Sequence, residues 1–370
     1  MIELSPSEKE NPEKQELEFK KLQKENFEEH EKWQEKLKEV VSAMQKKSGS
    51  IEEVVDAMHQ RRNGQEEKAE DIHVLVIILG GGMQGPYAAG QISALQEMGY
   101  TDNHLNEKDV FIGISAGAPT CAFGMAGKKQ VLLGTSIFYT VCASPEFIKY
   151  TRMKKIIDIS FLEKSFRIEP TRLDVEAVMK NPAQFYVQAY NETEKSPELI
   201  NAKDPSIDMV TAIHASMAIP LAYDKEITIG KSRYTDGAFD DPLPFIRIIE
   251  KFKPTHILIL PNIPFNRVPL GNPSTMERTL LEMIPDKGSL GFIRKVLDHR
   301  QALRRALNTM AEHHNVKIGI AWPPEMGLHM FIQDKEKIKD AIRASAKEIF
   351  TLFGEGERSL KLYEEEYPQG

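Results

Sequence analysis

The chain has few of the residues that build disulfide frameworks or metal centres. Its 370 residues include only two cysteines, Cys121 and Cys142. No group of cysteines and histidines has the spacing of a zinc site. Two cysteines cannot form a disulfide framework, so the composition favours a reducing compartment and no structural metal. We expect both cysteines to be buried as small apolar side chains.

The sequence also lacks an apolar run that could cross a membrane. The chain opens with Met1-Ile2-Glu3-Leu4 and then charged residues, whereas an export signal begins with basic residues followed by an apolar stretch. No uninterrupted apolar span reaches about 18 residues. We therefore expect a cytoplasmic protein with no signal peptide or transmembrane segment, whose membrane contact, if any, is peripheral.

Positive charge is not in excess. The 48 lysines and arginines are outnumbered by 55 aspartates and glutamates, which leaves a formal net charge of -7. Proteins that bind nucleic acid usually carry a basic patch or stripe, so this balance argues against a nucleic-acid partner. It also provides no general attraction to anionic lipid surfaces. The length favours one large domain with an appendage.

The first 71 residues are rich in glutamate and lysine. Apolar residues between Trp33 and Met58 recur at steps of three and four, except for one gap of seven residues between Met44 and Ile51. This is the spacing of amphipathic helices and coiled coils. Ser50 and Glu53 match a capping box, which predicts a new helix ending near Gly64. We predict a charged helical arm that either self-associates or binds a partner as a coiled coil, or packs as an amphipathic helix on its own domain.

From Ile72 onward, short apolar strands alternate with helices. The pattern predicts strands at 73–79, 110–114, 185–190, 256–260 and 316–322, and helices at 86–98, 116–126, 209–218 and 335–353. Such alternation is typical of a mostly parallel sheet covered by helices on both faces. We therefore predict a three-layer α/β/α domain over residues 72–355, with its motifs at 72–245, followed by an acidic tail at 356–370.

A serine follows the second predicted strand. Ser115 is the centre of Gly113-Ile114-Ser115-Ala116-Gly117, and a serine at a tight turn between a strand and a helix is how an α/β fold exposes a nucleophile. Glycines flank it because side chains would block the strained turn and the close approach of the helix. We predict that Ser115 is the nucleophile of an acyl-transfer reaction; the alternative is a buried turn serine.

A glycine-rich loop follows the first predicted strand. Gly80, Gly81, Gly82 and Gly85 match the dinucleotide fingerprint G-x-G-x-x-G, which would indicate an oxidoreductase. That fold needs an acidic residue at the end of the second strand, where this chain instead has Ser115. No Lys-Ser/Thr pair follows the loop, which excludes a P-loop. In a hydrolase the same glycines form an oxyanion hole, with bare N–H groups facing a tetrahedral intermediate.

A candidate base lies in Asp236-Gly237-Ala238, which taken alone is an ordinary turn signal. No downstream histidine has a position that marks it as a triad member, although a Ser-His-Asp esterase stays as an alternative. A carboxylate with a pKa near 3.9 is about three units too weak a base at neutral pH. We therefore expect Asp236 to be buried beside Ser115 with a raised pKa.

The three motifs, in this order, resemble those of the patatin-like phospholipase family, as does the block Ala-Ser-Met-Ala-Ile-Pro at 215–220. The resemblance covers residues 72–244 and, more loosely, the chain to Phe353. It implies a patatin-like fold and a lipid acyl hydrolase of the phospholipase A or lysophospholipase type that needs no cofactor or metal.

The resemblance also implies residue roles: Ser115 as nucleophile and Asp236 as proton acceptor, with Gly81 and Gly82 as the oxyanion donors. The chain departs from the family pattern at Gln84, where arginine or lysine is usual, and at Asp241, where asparagine is usual. A catalytically silent binding protein with this fold is the remaining alternative.

Two segments combine apolar and basic residues. In residues 131–166, leucines, isoleucines and phenylalanines are interleaved with Lys149, Arg152, Lys154 and Lys155. This pattern predicts either a cap that docks on lipid or ordinary amphipathic helices over the sheet. We interpret a second basic run, at 294–305, as the solvated face of a helix. A lipid or phospholipid is thus the expected partner.

Overall fold

The computed structural model describes residues 50–63, 71–102, 104–149, 157–219, 223, 225–268, 302–303, 305–310, 315–356 and 358–362, with helical positions at 35, 38–39 and 41–42. Several predictions fall on other residues. Most of the arm before Ser50, the basic cap residues at 152, 154 and 155, most of the basic run at 294–305 and the end of the acidic tail lie outside the described residues.

An eight-stranded sheet forms the centre of the domain, in the order β5-β6-β3-β2-β1-β7-β8, with β4 also paired to β3. The strands are β1 (Val74–Ile78), β2 (Val110–Ile114), β3 (Gln184–Asn191), β4 (Ser196–Asn201), β5 (Ile227–Ile229), β6 (Ser232–Asp236), β7 (His256–Leu260) and β8 (Lys317–Ile320). Strands β3, β2, β1, β7 and β8 pair in parallel, whereas β4, β5 and β6 pair antiparallel. The predicted mostly parallel sheet is confirmed.

Helices cover both faces of this sheet. They are α1 (Ile51–Arg62), α2 (Pro86–Glu97), α3 (Gly117–Met125), α4 (Lys128–Thr140), α5 (Ile159–Ser165), α6 (Val175–Lys180), α7 (Met209–Met217), α8 (Phe245–Phe252) and α9 (Lys335–Leu352). Among the described helices, none has the length and apolar content needed to cross a bilayer.

Alternate residues of β1 belong to two separate hydrophobic cores. Val76 and Ile78 pack into the core that contains residues of α2, α3, α4 and α9, and Leu75 and Ile77 pack into the core that contains residues of α8 and the 302–310 segment. Side chains of a strand alternate between faces, so an unbroken apolar strand serves both cores. The predicted three-layer architecture is confirmed, and Cys121 and Cys142 are buried and unpaired, as expected.

Helix α1, which the sequence places in the arm, packs against the domain. The capping box of Ser50 and Glu53 is formed, and Val54 and Met58 are buried in the larger core. The Glu53 carboxylate also pairs with Lys317 on β8 at 2.8 Å. For this part of the arm, the structure favours the amphipathic helix packed on its own domain.

A buried ion pair ties α1 to the sheet. The guanidinium of Arg61 contacts the carboxylate of Asp109, and the two side chains are 8% and 1% exposed. The same carboxylate accepts hydrogen bonds from the backbone N–H groups of Val74 at 3.1 Å and Asn106 at 2.8 Å. Because Asp109 precedes β2 directly, this cluster fixes the strand that leads to Ser115.

We expect Arg61→Met to lower the free energy of unfolding by about 3–5 kcal/mol, because it leaves the Asp109 carboxylate buried without its cation. Urea denaturation measures this loss. Arg343→Met is the matched control, since Arg343 pairs with Asp340 at 3.3 Å on the exposed surface of α9, and exposed pairs contribute about 1 kcal/mol or less. Equal losses in the two variants would contradict the structural role of the buried pair.

Candidate active site

Ser115 lies on a strained turn between β2 and α3. Its φ is 53°, in the left-handed region that non-glycine residues rarely adopt. A Cβ on Gly117 would lie 2.2 Å from the carbonyl oxygen of Ile78, and one on Gly113 would lie 2.4 Å from the Cα of Ala118. Both flanking glycines are therefore required for the close approach of helix and strand. This geometry matches the turn that exposes nucleophilic serines.

A second serine anchors this turn. The backbone N–H of Ser115 donates to Oγ of Ser216 at 2.9 Å, and the Ser216 hydroxyl donates to the carbonyl oxygen of Gln188 at 2.6 Å. Ser216 is fully buried at the end of α7. Sequence reasoning noticed its block, Ala-Ser-Met-Ala-Ile-Pro, without assigning a role to the serine, because the partners are about 30 and 100 residues away in the chain.

The sheet brings Asp236 to Ser115 because two strands end against the same edge of β3. Strand β2 runs parallel to β3 and its last pair is Ile114 with Gln188. Strand β6 runs antiparallel to β3 and its last pair is Asp236 with Ala189. The other edge of β3 pairs with β4. The C-terminal ends of β2 and β6 therefore meet head to head, opposite the adjacent β3 residues Gln188 and Ala189. Ser115 and Asp236 are therefore neighbours.

Asp236 is a buried carboxylate with an altered pKa. Its side chain is fully buried, and burial is the main reason that its pKa is raised to about 7. The neighbouring Ser115 hydroxyl and the Ala238 N–H lower the pKa, whereas the negative charge of Asp240 raises it. Oδ1 accepts the Ala238 N–H at 2.8 Å. Oδ2 makes no hydrogen bond of ordinary geometry with the described residues, so it is the oxygen available to accept a proton.

The glycine loop completes the cluster. A Cβ on Gly80 would lie 3.0 Å from the Cβ of Ser115 and 3.3 Å from that of Ala238, so the three motifs pack together. Within the described part of the chain, the N–H groups of Gly81 and Gly82 make no hydrogen bond. The N–H of Gly85 differs from the expectation, because it donates to the carbonyl oxygen of Gly82 at 2.9 Å. Among the described residues, the N–H groups of Gly80, Gly81 and Gly82 thus have no partner, and that of Gly85 has one.

Gly85 has a packing role instead. A Cβ at this position would lie 2.6 Å from the ring of Phe138. The loop is further held by Met330, whose carbonyl oxygen accepts the N–H of Met83 at 3.1 Å. The sequence offered no signal for Met330, which lies about 250 residues beyond the loop.

Ser115 opens into two cavities. The first, here called the apolar cavity, encloses about 600 Å³ of space including its mouth, and among the described residues no charged side chain lines it. Its walls include Phe123 of α3, Ile137 of α4, Phe147, Leu162 and Phe166. Residues 131–149 and 157–166, the described parts of the segment predicted to be a cap, therefore form much of the wall of this cavity.

The second cavity, here called the polar cavity, encloses about 990 Å³, again including its mouth. Its polar lining consists of the loop glycines, Gln84, Asn262 and Arg267, and apolar residues such as Phe239 and Ile263 form other parts of its wall. Ser115 lies at its junction with the apolar cavity. Met330 and Ile219 line both cavities. The arrangement can hold an ester whose two sides differ in polarity.

The described histidines do not complete a triad. Neither cavity is lined by a histidine of the described chain. His256 begins β7, at the opposite end of the sheet from Ser115, and burial lowers its pKa to about 4. His214 is buried on α7 and its pKa is also lowered to about 4 by burial. His299, His313 and His314 lie outside the described residues.

The geometry also bears on the dinucleotide and metal alternatives. Strand β2 ends at the Ser115 turn, where a dinucleotide-binding fold would have its acidic ribose ligand. No group of three potential metal ligands occurs in the stretches that the structure describes.

The two departures from the family pattern each have a partner in the structure. Gln84 donates to the carbonyl of Leu328 at 3.5 Å, and Asp241 pairs with Arg247 at 2.5 Å.

Part of the chain is similar to a known family of proteins. Residues 76–249 match the family model described as Patatin-like phospholipase. Among solved structures, the chain is similar to VipD from Legionella pneumophila, with 12% sequence identity and a TM-score of 0.41 over 78% of this chain and 68% of that one. No curated protein matches the chain. The matched segment holds all three motifs, so residues 76–249 are similar to the patatin-like phospholipase family, a family of lipid hydrolases.

Proposed function

We propose that this protein is a lipid acyl hydrolase that cleaves carboxylic esters through an acyl-Ser115 intermediate, with Asp236 as the base. The observation that carries the proposal is the buried Asp236 carboxylate, whose pKa is raised to about 7 at the point where β2 and β6 meet. A base is most effective when its pKa is near the working pH, and this carboxylate meets that requirement without a histidine.

The proposed reaction has two halves. The Ser115 hydroxyl attacks the ester carbonyl as its proton passes to Oδ2 of Asp236. The oxyanion that forms accepts hydrogen bonds from the N–H groups of Gly81 and Gly82. The C–O bond to the alcohol then breaks, and Asp236 transfers its proton to the departing alcohol oxygen. In the second half, a water molecule gives a proton to Asp236 and attacks the carbonyl carbon of the acyl-enzyme. The bond between this carbon and Oγ of Ser115 then breaks, which releases the fatty acid, and Asp236 returns its proton to Ser115.

The cavities support a lipid substrate of the phospholipase A or lysophospholipase type. The apolar cavity lacks charged lining residues in the described chain, so an acyl chain can enter it without displacing water from ionised groups. No separate cofactor is needed, because nucleophile, base and oxyanion donors all come from the chain.

A fluorophosphonate probe tests this proposal on the full chain. We expect covalent labelling of the peptide that contains Ser115, identified by mass spectrometry, and release of fatty acid from mixed phospholipid vesicles. Labelling at another serine would assign the reaction to a different site. A protein that binds the vesicles but is neither labelled nor active would instead be a catalytically silent member of the family.

A further inference from the structure

The two cavities at Ser115 differ in charge. Among the residues that the structure describes, the apolar cavity is lined by no charged side chain, and the polar cavity is lined by one, Arg267. An ester bound at Ser115 extends its acyl group to one side and its alcohol to the other. The cation therefore lies on the side of the alcohol if the acyl chain occupies the apolar cavity.

Arg267 is held in place by two partners and is partly exposed. It ends the short 3-10 turn Phe265–Arg267 after β7. Nε pairs with the carboxylate of Glu325 at 2.5 Å, and Nη1 donates to the carbonyl oxygen of Leu328 at 3.0 Å. The side chain is 42% exposed, so the guanidinium is open to an anion. A guanidinium fixed in this way loses little further freedom when it binds an anion.

The other polar side chains of the polar cavity play different parts. Asn262 is committed to the fold, because its Oδ1 accepts the N–H of Ala88 at 3.0 Å and its Nδ2 donates to the carbonyl oxygen of Leu79. Gln84 donates to the carbonyl of Leu328 at 3.5 Å, the oxygen that Arg267 also contacts. Arg267 and Gln84 thus lie side by side, and Arg267 alone brings a positive charge.

We propose that the polar cavity is a subsite for an alcohol that carries a phosphate, and that Arg267 is the residue that selects it over a neutral alcohol. The inference rests on the proposed function and adds the orientation of the substrate. Arginine N–H groups form charge-assisted hydrogen bonds with phosphate oxygens, which are stronger than neutral ones. Glu325 works against this selection, because its carboxylate repels a phosphate at the same guanidinium.

The test compares two substrates that differ only in the phosphate: a monoacylglycerol and the phosphate ester of the same monoacylglycerol, both in neutral detergent micelles. We expect Arg267→Gln to lower the ratio of kcat/KM for the phosphate ester to kcat/KM for the monoacylglycerol about tenfold or more, through KM for the phosphate ester. Glu325→Gln should have the opposite sign and lower KM for the phosphate ester. Arg343→Gln is the control, because Arg343 is 43% exposed, pairs with Asp340 and lines neither cavity.

Several outcomes would overturn the proposal. Arg267→Gln could change kcat/KM for both substrates in the same proportion, or change it for neither. Either result would mean that Arg267 does not select the phosphate, while the proposed hydrolase function would stand. If native protein hydrolyses neither substrate, the Ser115→Ala protein gives a binding measurement by calorimetry. Equal affinities for the phosphate ester with and without Arg267→Gln would then reject the subsite, independently of catalysis.

Discussion

Replacing Ser115 with alanine is expected to lower kcat for ester hydrolysis by about 10⁴-fold or more, because the proposed acyl intermediate forms on the Ser115 hydroxyl. The expected residual rate is that of water attack assisted by the loop N–H groups alone. Alanine keeps the Cβ and faces the same backbone φ of 53°, so we expect a melting temperature close to that of the native protein. Fatty-acid release under saturating substrate measures the loss.

The matched control is Ser345→Ala. Ser345 is also a fully buried serine, its hydroxyl makes no hydrogen bond with described residues, and it lies on α9, outside both cavities. We expect full activity and full fluorophosphonate labelling in this variant. Substantial hydrolysis by Ser115→Ala, with labelling retained, would mean that the nucleophile is elsewhere.

Asp236→Asn is expected to lower kcat/KM by about 10²–10⁴-fold, the usual contribution of a general base. In the proposed mechanism the carboxylate form of Asp236 accepts the proton, and burial raises its pKa to about 7. Native kcat/KM should therefore rise with pH through about 7 and level off above about 8. The asparagine amide cannot accept the proton, so the residual rate should lose this transition. A pH profile of both proteins over about pH 5 to 9 measures the difference.

Asp240→Asn tests whether the neighbouring charge of Asp240 contributes to the raised pKa of Asp236. The charge of Asp240 raises the pKa of Asp236, so its removal should shift the midpoint of the pH profile to lower pH while activity is retained. A transition near pH 7 that persists in Asp236→Asn would assign the titration to another group.

The same pKa shift affects stability. A carboxyl whose pKa is raised by folding stabilises the protein less as pH rises through the folded pKa. Native protein should therefore lose stability relative to Asp236→Asn as pH rises from about 4 to about 7. The site would then keep a destabilising group because catalysis requires it.

The local parts of the fold and site were predictable from short stretches of sequence. Helix α2 was predicted at 86–98 and extends over Pro86–Glu97, and α9 was predicted at 335–353 and extends over Lys335–Leu352. Apolar periodicity and glycine positions determine such elements because their hydrogen bonds form between near neighbours. The turn around Ser115 belongs to this class, since its two glycines and its strand are contiguous.

Strand β6 was not predictable in this way. Its sequence, Ser-Arg-Tyr-Thr-Asp at 232–236, has no strong apolar alternation, and its partner β3 lies more than 40 residues earlier. The sequence suggested that Asp236 needed a buried position with a raised pKa, and the head-to-head meeting of β2 and β6 supplies that position. The contacts of Ser216, Met330 and Arg267 were missed for the same reason.

By itself, then, the sequence determined the alternation of strands and helices, the strained serine turn and the bare glycine loop, because each depends on the backbone preferences of a few consecutive residues. Only the tertiary structure decided that Asp236 is desolvated beside Ser115 and that Ser115 lies between an apolar cavity and a cavity lined by Arg267. Burial, pKa and cavity walls arise from residues far apart in the chain, and no short pattern encodes how the sheet brings them together.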